Sequence, residues 1–307
     1  MSSMAPDSTI AAAPLIEAHD ITKHYDGFSL DGVDLIVEEG EIVGFVGQNG
    51  AGKSTTIKAL LGLIELDGGT ACVLGTDVHA LAHTSAGASA KEHIGVVFDT
   101  VSVPGHLRIS EIGRMHARAF TGWSQHTFDK LVREFGLEPT KPVKDLSRGM
   151  GMKLSLACAL SHGARLLILD EATAGLDPMA RDEVLDRLRE FVAAPGHAVL
   201  MSSHITSDLE KIADRVVCIE NGRIVFNLIK DEITDEMGVA RCRVADFEAV
   251  AASGIIPERA IRYRKHDYGI DLLVPDRFAF TERFPNIPVD HMTIDDYLTL
   301  TLKGGVR

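Results

Sequence analysis

The sequence predicts an α/β fold built on a largely parallel sheet from Leu15 to about Asp235. Two observations carry this expectation. Short apolar runs alternate with amphipathic stretches and glycine turns, the rhythm of strands joined by helices. Several of those runs (IVGFVG, LLILD and AVLMSS) are apolar without alternation, as strands buried on both faces require.

Taken in order, Leu15–Thr22 and Phe28–Val37 alternate apolar and polar residues, which predicts an antiparallel β layer with one wet face. Glu41–Gly47 reads as the first buried strand, followed by a helix in KSTTIKALLGL, and Gly95–Asp99 as the next strand. Between Ile109 and Val143 the strands stop. ISEIGRMHARAF and SQHTFDKLVREFG read as amphipathic helices, so a helical insertion, at about 100–160, interrupts the α/β unit. Ser147 can cap a further helix running through Lys153 to Leu160. Arg165–Asp170, His197–Ser202 and Arg215–Glu220 complete the buried strands.

Beyond about Asp235 the texture changes. Val239–Ala245 reads as a strand and Asp246–Ser253 as a short helix, with RAIRYRK and GIDLLV forming a hairpin around His266-Asp267-Tyr268. Phe278–Phe284 and Thr293–Leu302 read as helices, the second capped by Thr293 and stopped by Gly304-Gly305. The expected organisation is a disordered tail over 1–14, a main domain over 15–235 and a small α+β C-terminal accessory domain over 236–307. At roughly 70 residues, that last piece is at the limit of what folds alone.

Composition narrows the function. Among 307 residues, 44 acidic against 31 basic side chains give a net charge of −13, which argues against nucleic acid as a partner. Cys72, Cys158, Cys218 and Cys242 fit no CxxC spacing, which excludes a zinc ribbon or disulfide scaffold and suits a reducing compartment. No apolar run reaches the roughly 18 residues of a membrane span, and the N-terminus lacks the basic and apolar regions of a signal peptide. A cytoplasmic protein is expected.

The segment Gly47-Gln48-Asn49-Gly50-Ala51-Gly52-Lys53-Ser54 fills the pattern GxxxxGK[ST] without a mismatch, between an apolar strand and a helix. Such a loop curls its N–H groups toward phosphate oxygens, and the helix start adds partial positive charge. Lys53 would reach the β- and γ-phosphates and Ser54 would ligand Mg²⁺. In LLILDEATAGLDP, Asp170 and Glu171 fall at the exposed C-terminal end of a buried strand, where open α/β sheets bind ligands. Asp170 can hold Mg²⁺ through water, and Glu171 can orient or deprotonate an attacking water. The bland alternative is a pair of acids that solubilise a strand end. Leu146-Ser147-Arg148-Gly149-Met150 offers a helix start to an anion, and His204 follows another buried strand.

Together, in this order, these motifs closely resemble the nucleotide-binding subunit of ATP-binding cassette (ABC) transporters, over about Leu15 to Asp235. The resemblance implies a P-loop NTPase core sheet with the antiparallel layer and the helical insertion. It implies that Gly47 to Thr55 cradle ATP, Asp170 serves Mg²⁺, Glu171 is the general base and His204 senses the γ-phosphate. Asp177, in the Ala174–Asp177 turn, would signal across a dimer, and Ser147 and Gly149 would contact ATP on the opposite subunit. Tyr25 would stack on adenine, although an aromatic in such a strand is more often core. Two departures stand out. Arg148 and Met150 replace a glycine and the terminal glutamine of the family's signature, and Asp99, give or take one residue, stands where the family carries its γ-phosphate-sensing glutamine, a place from which its carboxylate would serve the metal. The implied function is ATP hydrolysis that drives a separate integral membrane permease, most like the exporters of drugs, antibiotics or polysaccharides, from the inner face of the cell membrane. The implied assembly is a homodimer, or a heterodimer with a second cassette in an importer or regulatory complex. The segment after Asp235 carries no such motif. It is expected to be dispensable for nucleotide binding, its amphipathic hairpin and terminal helix serving as a dimer contact or a regulatory surface; the bland alternative is a lid that merely covers apolar surface of the main domain.

Overall fold

The apolar runs become neighbours in one sheet. In the computed structural model, which describes residues 13–306, Ile16–Tyr25 (β1) and Phe28–Val37 (β2) form an antiparallel hairpin. Most of the expected tail thus lies outside the described residues. The fully buried Ile42–Val46 (β3) runs into the helix Lys53–Leu60 (α1). Gly68–Val73 (β4) pairs with β1, and Thr76–Asp77 (β5) with β4. Two short helices, Val78–His83 (α2) and Ser85–Lys91 (α3), lead to Ile94–Val97 (β6). The helices Ile109–Ala119 (α4), Gln125–Glu134 (α5) and Arg148–Leu160 (α6) follow with no strand between them. Then come Leu166–Asp170 (β7), Pro178–Val192 (α7), Ala198–Ser202 (β8), Thr206–Ile212 (α8), Arg215–Glu220 (β9) and Arg223–Ile229 (β10).

The main sheet has the order β10-β9-β3-β8-β7-β6 and is parallel except for β10, which returns antiparallel along β9. Alternation of side chains divides its core between two faces. Ile168 and Leu200 pack with Val33, Leu35 and Phe45 under the antiparallel β2-β1-β4-β5 layer. Leu167, Leu169, Val199 and Met201 face the helices, against Leu156, Leu185 and Leu209. Both faces are dry, which is why these strands read as unbroken apolar runs.

Several details depart from expectation. β4, β5, α2, α3 and β10 were not foreseen: β4 begins Gly-Gly and gains its stability from pairing with β1 rather than from its own residues. β1 extends three residues past Thr22, to Tyr25. The strand expected to reach Asp99 ends at Val97, so Phe98 and Asp99 leave the sheet. Thr293 does cap its helix, its hydroxyl accepting from the Asp296 N–H at 3.0 Å, but Gly304 at φ −70° is no left-handed stop. The chain runs on there as a strand.

The C-terminal residues form a third sheet. Gly238–Cys242 (β11), Arg262–His266 (β12), Gly269–Val274 (β13), Val289–His291 (β14) and Gly305–Val306 (β15) pair antiparallel in the order β14-β11-β13-β12-β15. Its helices are Val244–Ser253 (α9), Arg277–Arg283 (α10) and Ile294–Lys303 (α11). Ile233, Val239, Leu273, Met292, Ile294 and Leu300 belong to the same buried cluster as Leu209, Ile212 and Val216 of the main sheet and its helices. The Glu210 carboxylate of α8 also accepts the Ile294 N–H at 2.7 Å. This segment is built into the main core.

All four cysteines are unpaired, and burial pushes the thiols of Cys158 and Cys218 up to about 12 and that of Cys242 up to about 11. Among the described residues no helix is long and apolar enough to cross a membrane.

If α11 shares the main core, Leu300→Ala should destabilise the whole chain by about 2–5 kcal/mol, the usual cost of such a truncation at a buried site. Denaturant unfolding followed by tryptophan fluorescence, from Trp123 in the helical insertion, measures it. A change below about 0.5 kcal/mol would mean that α11 is only loosely seated.

Candidate active site

Parallel pairing places the C-terminal ends of β3, β6, β7 and β8 along one edge of the sheet. The loop after β3, the bend after β6, Asp170-Glu171 after β7 and His204 after β8 therefore open on the same side, as ligand sites of open α/β sheets do.

The loop after β3 turns through Gly50 and Gly52, both at positive φ, and Gly52 at φ 122° is the N-cap of α1. A Cβ on Gly52 would lie 2.8 Å from Leu30 and 3.2 Å from Phe28, so both its conformation and its space require glycine. None of the N–H groups of Gly52, Lys53, Ser54 and Thr55 finds an acceptor among the described residues, and no side chain caps the helix. Four free donors at a helix start make a cradle for an anion. A second clamp holds the loop. In the β9–β10 turn, Asn221 and Gly222 both have positive φ, and the Gly222 N–H donates to the Ala51 carbonyl at 2.8 Å while its own carbonyl accepts from Asp31 at 2.9 Å.

Lys53 is buried, and its Nζ donates to the carbonyls of Gly47 at 2.7 Å and Gln48 at 3.3 Å. The same Nζ lies 3.4 Å from Glu171 Oε1. Glu171 is the residue the sheet edge spends most geometry on. Its φ is +54°, rare for a residue with a side chain, and its N–H is held by Ser202 through the carbonyl at 3.2 Å and the hydroxyl at 3.1 Å. Its Oε2 lies 2.5 Å from His204 Nδ1 and 3.3 Å from the His204 N–H. Lys53, Glu171 and His204 are thus one connected group.

Asp170 corrects an expectation. It is buried rather than exposed, and its Oδ1 accepts the Ser202 hydroxyl at 2.6 Å. Its other oxygen has no donor among the described residues, and neither has the exposed Ser54 hydroxyl. Two such oxygen ligands near a phosphate cradle fit Mg²⁺, which prefers oxygen and keeps several waters.

The remaining expected residues divide. Tyr25 is 46% exposed at the tip of the β1–β2 hairpin, so it is not core; neighbouring Phe28 touches the space above Gly52. Gln48, Asn49 and Gly50 are exposed on the loop. Ser147 accepts the Met150 N–H at 3.3 Å and caps α6. Gly149 faces Leu176, and the Arg148 side chain lies over Gly175, so this helix start sits against the Ala174–Asp177 turn. Asp177 caps α7, accepting from Ala180 at 3.0 Å. No hydrogen bond or ion pair among the described residues ties Ser147, Gly149, Asp177 or Asp99 to the loop after β3. Asp99 and Thr100 are both exposed beside the end of β7.

Three contributors were not singled out from the sequence. Ser202, which links Asp170 to Glu171, was present as the polar end of AVLMSS. Gly222 was signalled by Asn-Gly between two apolar runs, the pattern of a tight hairpin. Asp208, buried in α8 with Arg181 Nη1 3.8 Å from its Oδ1, gives no signal, because a first-turn acid on an exposed helix looks the same.

Comparison with known proteins places the chain in a family. The family described as "ABC transporter" matches residues 30–174. The daunorubicin/doxorubicin resistance ATP-binding protein DrrA of Streptomyces peucetius is 35% identical over 245 residues, 77% of this chain and 72% of that protein. A Nod factor export ATP-binding protein I of Burkholderia orbicola is 36% identical over 236 residues, 73% of this chain and 75% of that protein. A solved structure of the ATP binding subunit of an ABC transporter superposes with a TM-score of 0.64 at 30% identity, covering 71% of this chain and 91% of that one.

Burial pushes the Asp208 carboxyl above its ordinary range, and Arg181 offsets this only in part. A carboxyl with a higher pKa folded than unfolded costs stability as pH rises from the unfolded value of about 3.9 through the folded one. Asparagine does not ionise. Asp208→Asn should therefore gain stability relative to the parent as pH rises from about 4 toward neutral, read from urea midpoints. A constant difference across that window would mean that Asp208 does not titrate there.

Proposed function

The chain belongs to the ABC transporter ATP-binding family, and on that premise we propose that it binds and hydrolyses ATP to power a separate membrane permease, as an exporter subunit. The observation that carries this reading is the connected group Lys53–Glu171–His204 beside the free N–H groups of the loop after β3. Gly47, Gln48, Asn49, Gly50, Ala51, Gly52, Lys53, Ser54 and Thr55 cradle the triphosphate, and the exposed Tyr25 stacks on the adenine. Mg²⁺, held by Ser54 and Asp170 with Asp99 beside them, would neutralise charge on the transferring phosphoryl group.

The work of the chain itself is positioning. Lys53 exchanges its carbonyl partners and Glu171 for phosphate oxygens, which frees the Glu171 carboxylate. Glu171 then accepts the proton of the attacking water. His204, through Nδ1 and its N–H, holds that carboxylate in place and reaches toward the γ-phosphate. Preorganised groups of this kind act by electrostatics rather than by covalent steps.

Ser147, Gly149 and Asp177 lie away from this group and on the surface, next to Met179, which is 84% exposed. We assign this face to a second cassette, the same chain or a different one, whose ATP Ser147 and Gly149 would contact. Between β6 and the helical insertion runs an apolar groove of about 370 Å³, lined by Leu63, Phe98, Thr100, Val103, His116 and Phe120. Phe98 and Thr100 bracket Asp99, so a cytoplasmic segment of the permease seated there would feel the nucleotide state. Export is supported by the printed name of the Nod factor relative, and the proposed location is the cytoplasmic face of the membrane, through the permease.

ATP binding by a fluorescent analogue, with and without Mg²⁺, tests the reading. Lys53→Ala should weaken binding by about tenfold or more, because each 1.4 kcal/mol of lost charge contact is a factor of ten. Asp99→Gln should strengthen binding severalfold in EDTA by removing a negative charge, and should raise the Mg²⁺ needed for half-maximal turnover. Unchanged affinity in Lys53→Ala would overturn the site, and identical curves for Asp99→Gln would remove that residue from it.

A further inference from the structure

Away from the sheet edge, two histidines and a glutamate converge beside the antiparallel layer. His79 and His83 are one turn apart on α2, so their rings project from the same side and meet edge-on with centroids 5.0 Å apart. Glu65 arrives from the loop that leaves α1. One ligand atom from each of the three lies within 4.8 Å of the others, and all three residues are exposed. None of these side chains makes a hydrogen bond or ion pair among the described residues, so their lone pairs are free. The backbone beneath them is fixed: Asp77 of β5 caps α2 by accepting from the His79 N–H at 2.9 Å, and the three line a concavity of about 430 Å³.

We propose that Glu65, His79 and His83 form a site for one divalent transition-metal ion of the zinc class, distinct from the ATP site. Two imidazoles and one carboxylate, with a fourth position open to water, are a donor set that Zn²⁺, Co²⁺ and Ni²⁺ accept and that Mg²⁺ and Ca²⁺, which take oxygen, do not. A tetrahedral ion about 2.1 Å from each ligand needs ligand atoms about 3.4 Å apart. Small rotations of exposed side chains close the gap from 4.8 Å. The bound ion ties the end of the α1 loop to α2, beside the close approach of Gly62 to Val78 and Ala82. It requires neither ATP nor a partner subunit.

The test is titration of the full chain with ZnCl2 by calorimetry, in buffer containing millimolar Mg²⁺, for the parent, the double variant His79→Ala/His83→Ala and Glu65→Gln. The parent should bind one more Zn²⁺ than the double variant, or bind it at least about tenfold more tightly, since even changes behind the ligands cost about 10–100-fold. Glu65→Gln should weaken the same site severalfold. Co²⁺ should give a visible tetrahedral absorption band in the parent that is absent from the double variant. Ions held elsewhere, including at His204, contribute equally to all three proteins. Equal stoichiometry and affinity in parent and double variant would overturn the proposal, as would displacement of the parent's Zn²⁺ by millimolar Mg²⁺.

Discussion

In the main sheet Val97 stands opposite Leu169, Leu169 opposite Met201, and Phe45 opposite Ser202, and this parallel register determines where every part of the candidate site lies. It brings the loop after β3, Asp170-Glu171 and His204 to one edge with no further device. A slip of one residue in β7 would turn Asp170 to the other face and move Leu169 from the core beneath the helices to the core beneath the antiparallel layer. The two dry faces make such a slip costly, because Ile168 and Leu167 are already committed to separate cores. The most conventional part of the fold therefore sets the tolerance of the site.

A second constraint follows from charge. Lys53 is a buried ammonium, affordable only because two carbonyls and Glu171 surround it. Glu171 in turn is shared with His204 and fixed by a backbone conformation that few residues with side chains adopt. The site is thus a set of mutually satisfied charges. Around it, the Asn221-Gly222 turn grips the loop through Ala51, and a cleft of about 200 Å³ separates Gly47, Gln48 and His204 from Asp295, Leu298 and Lys303 of α11. The C-terminal segment, though free of motifs, borders this loop and His204.

The candidate site was legible in the sequence because its parts are local. A glycine-rich loop, an apolar strand ending in Asp-Glu and a strand ending in Ser-Ser-His are each recognisable within a few residues, and the parallel fold brings them to one edge. What was not legible is what depends on distant partners. β4, opening on two glycines, is a strand only because β1 lies beside it, and α2 and α3 sit in an alanine- and glycine-rich stretch with little periodicity. The amphipathic face of α11 announced that it would be buried, but not against what. The exposure of Asp170 was misjudged because a strand-end acid and a buried one look alike until Ser202 is seen beside it.

The most direct measurement is phosphate release from MgATP by the Glu171→Gln chain, alongside its ATP affinity and its size by exclusion chromatography with ATP present. The amide keeps the shape of the side chain and removes the base. ATP affinity close to the parent's, turnover reduced by about a hundredfold or more, as for loss of a general base, and an ATP-dependent shift to a dimer are expected. Phosphate release at the parental rate would contradict the assignment of Glu171, and with it the reading of the Lys53–Glu171–His204 group as the hydrolytic centre.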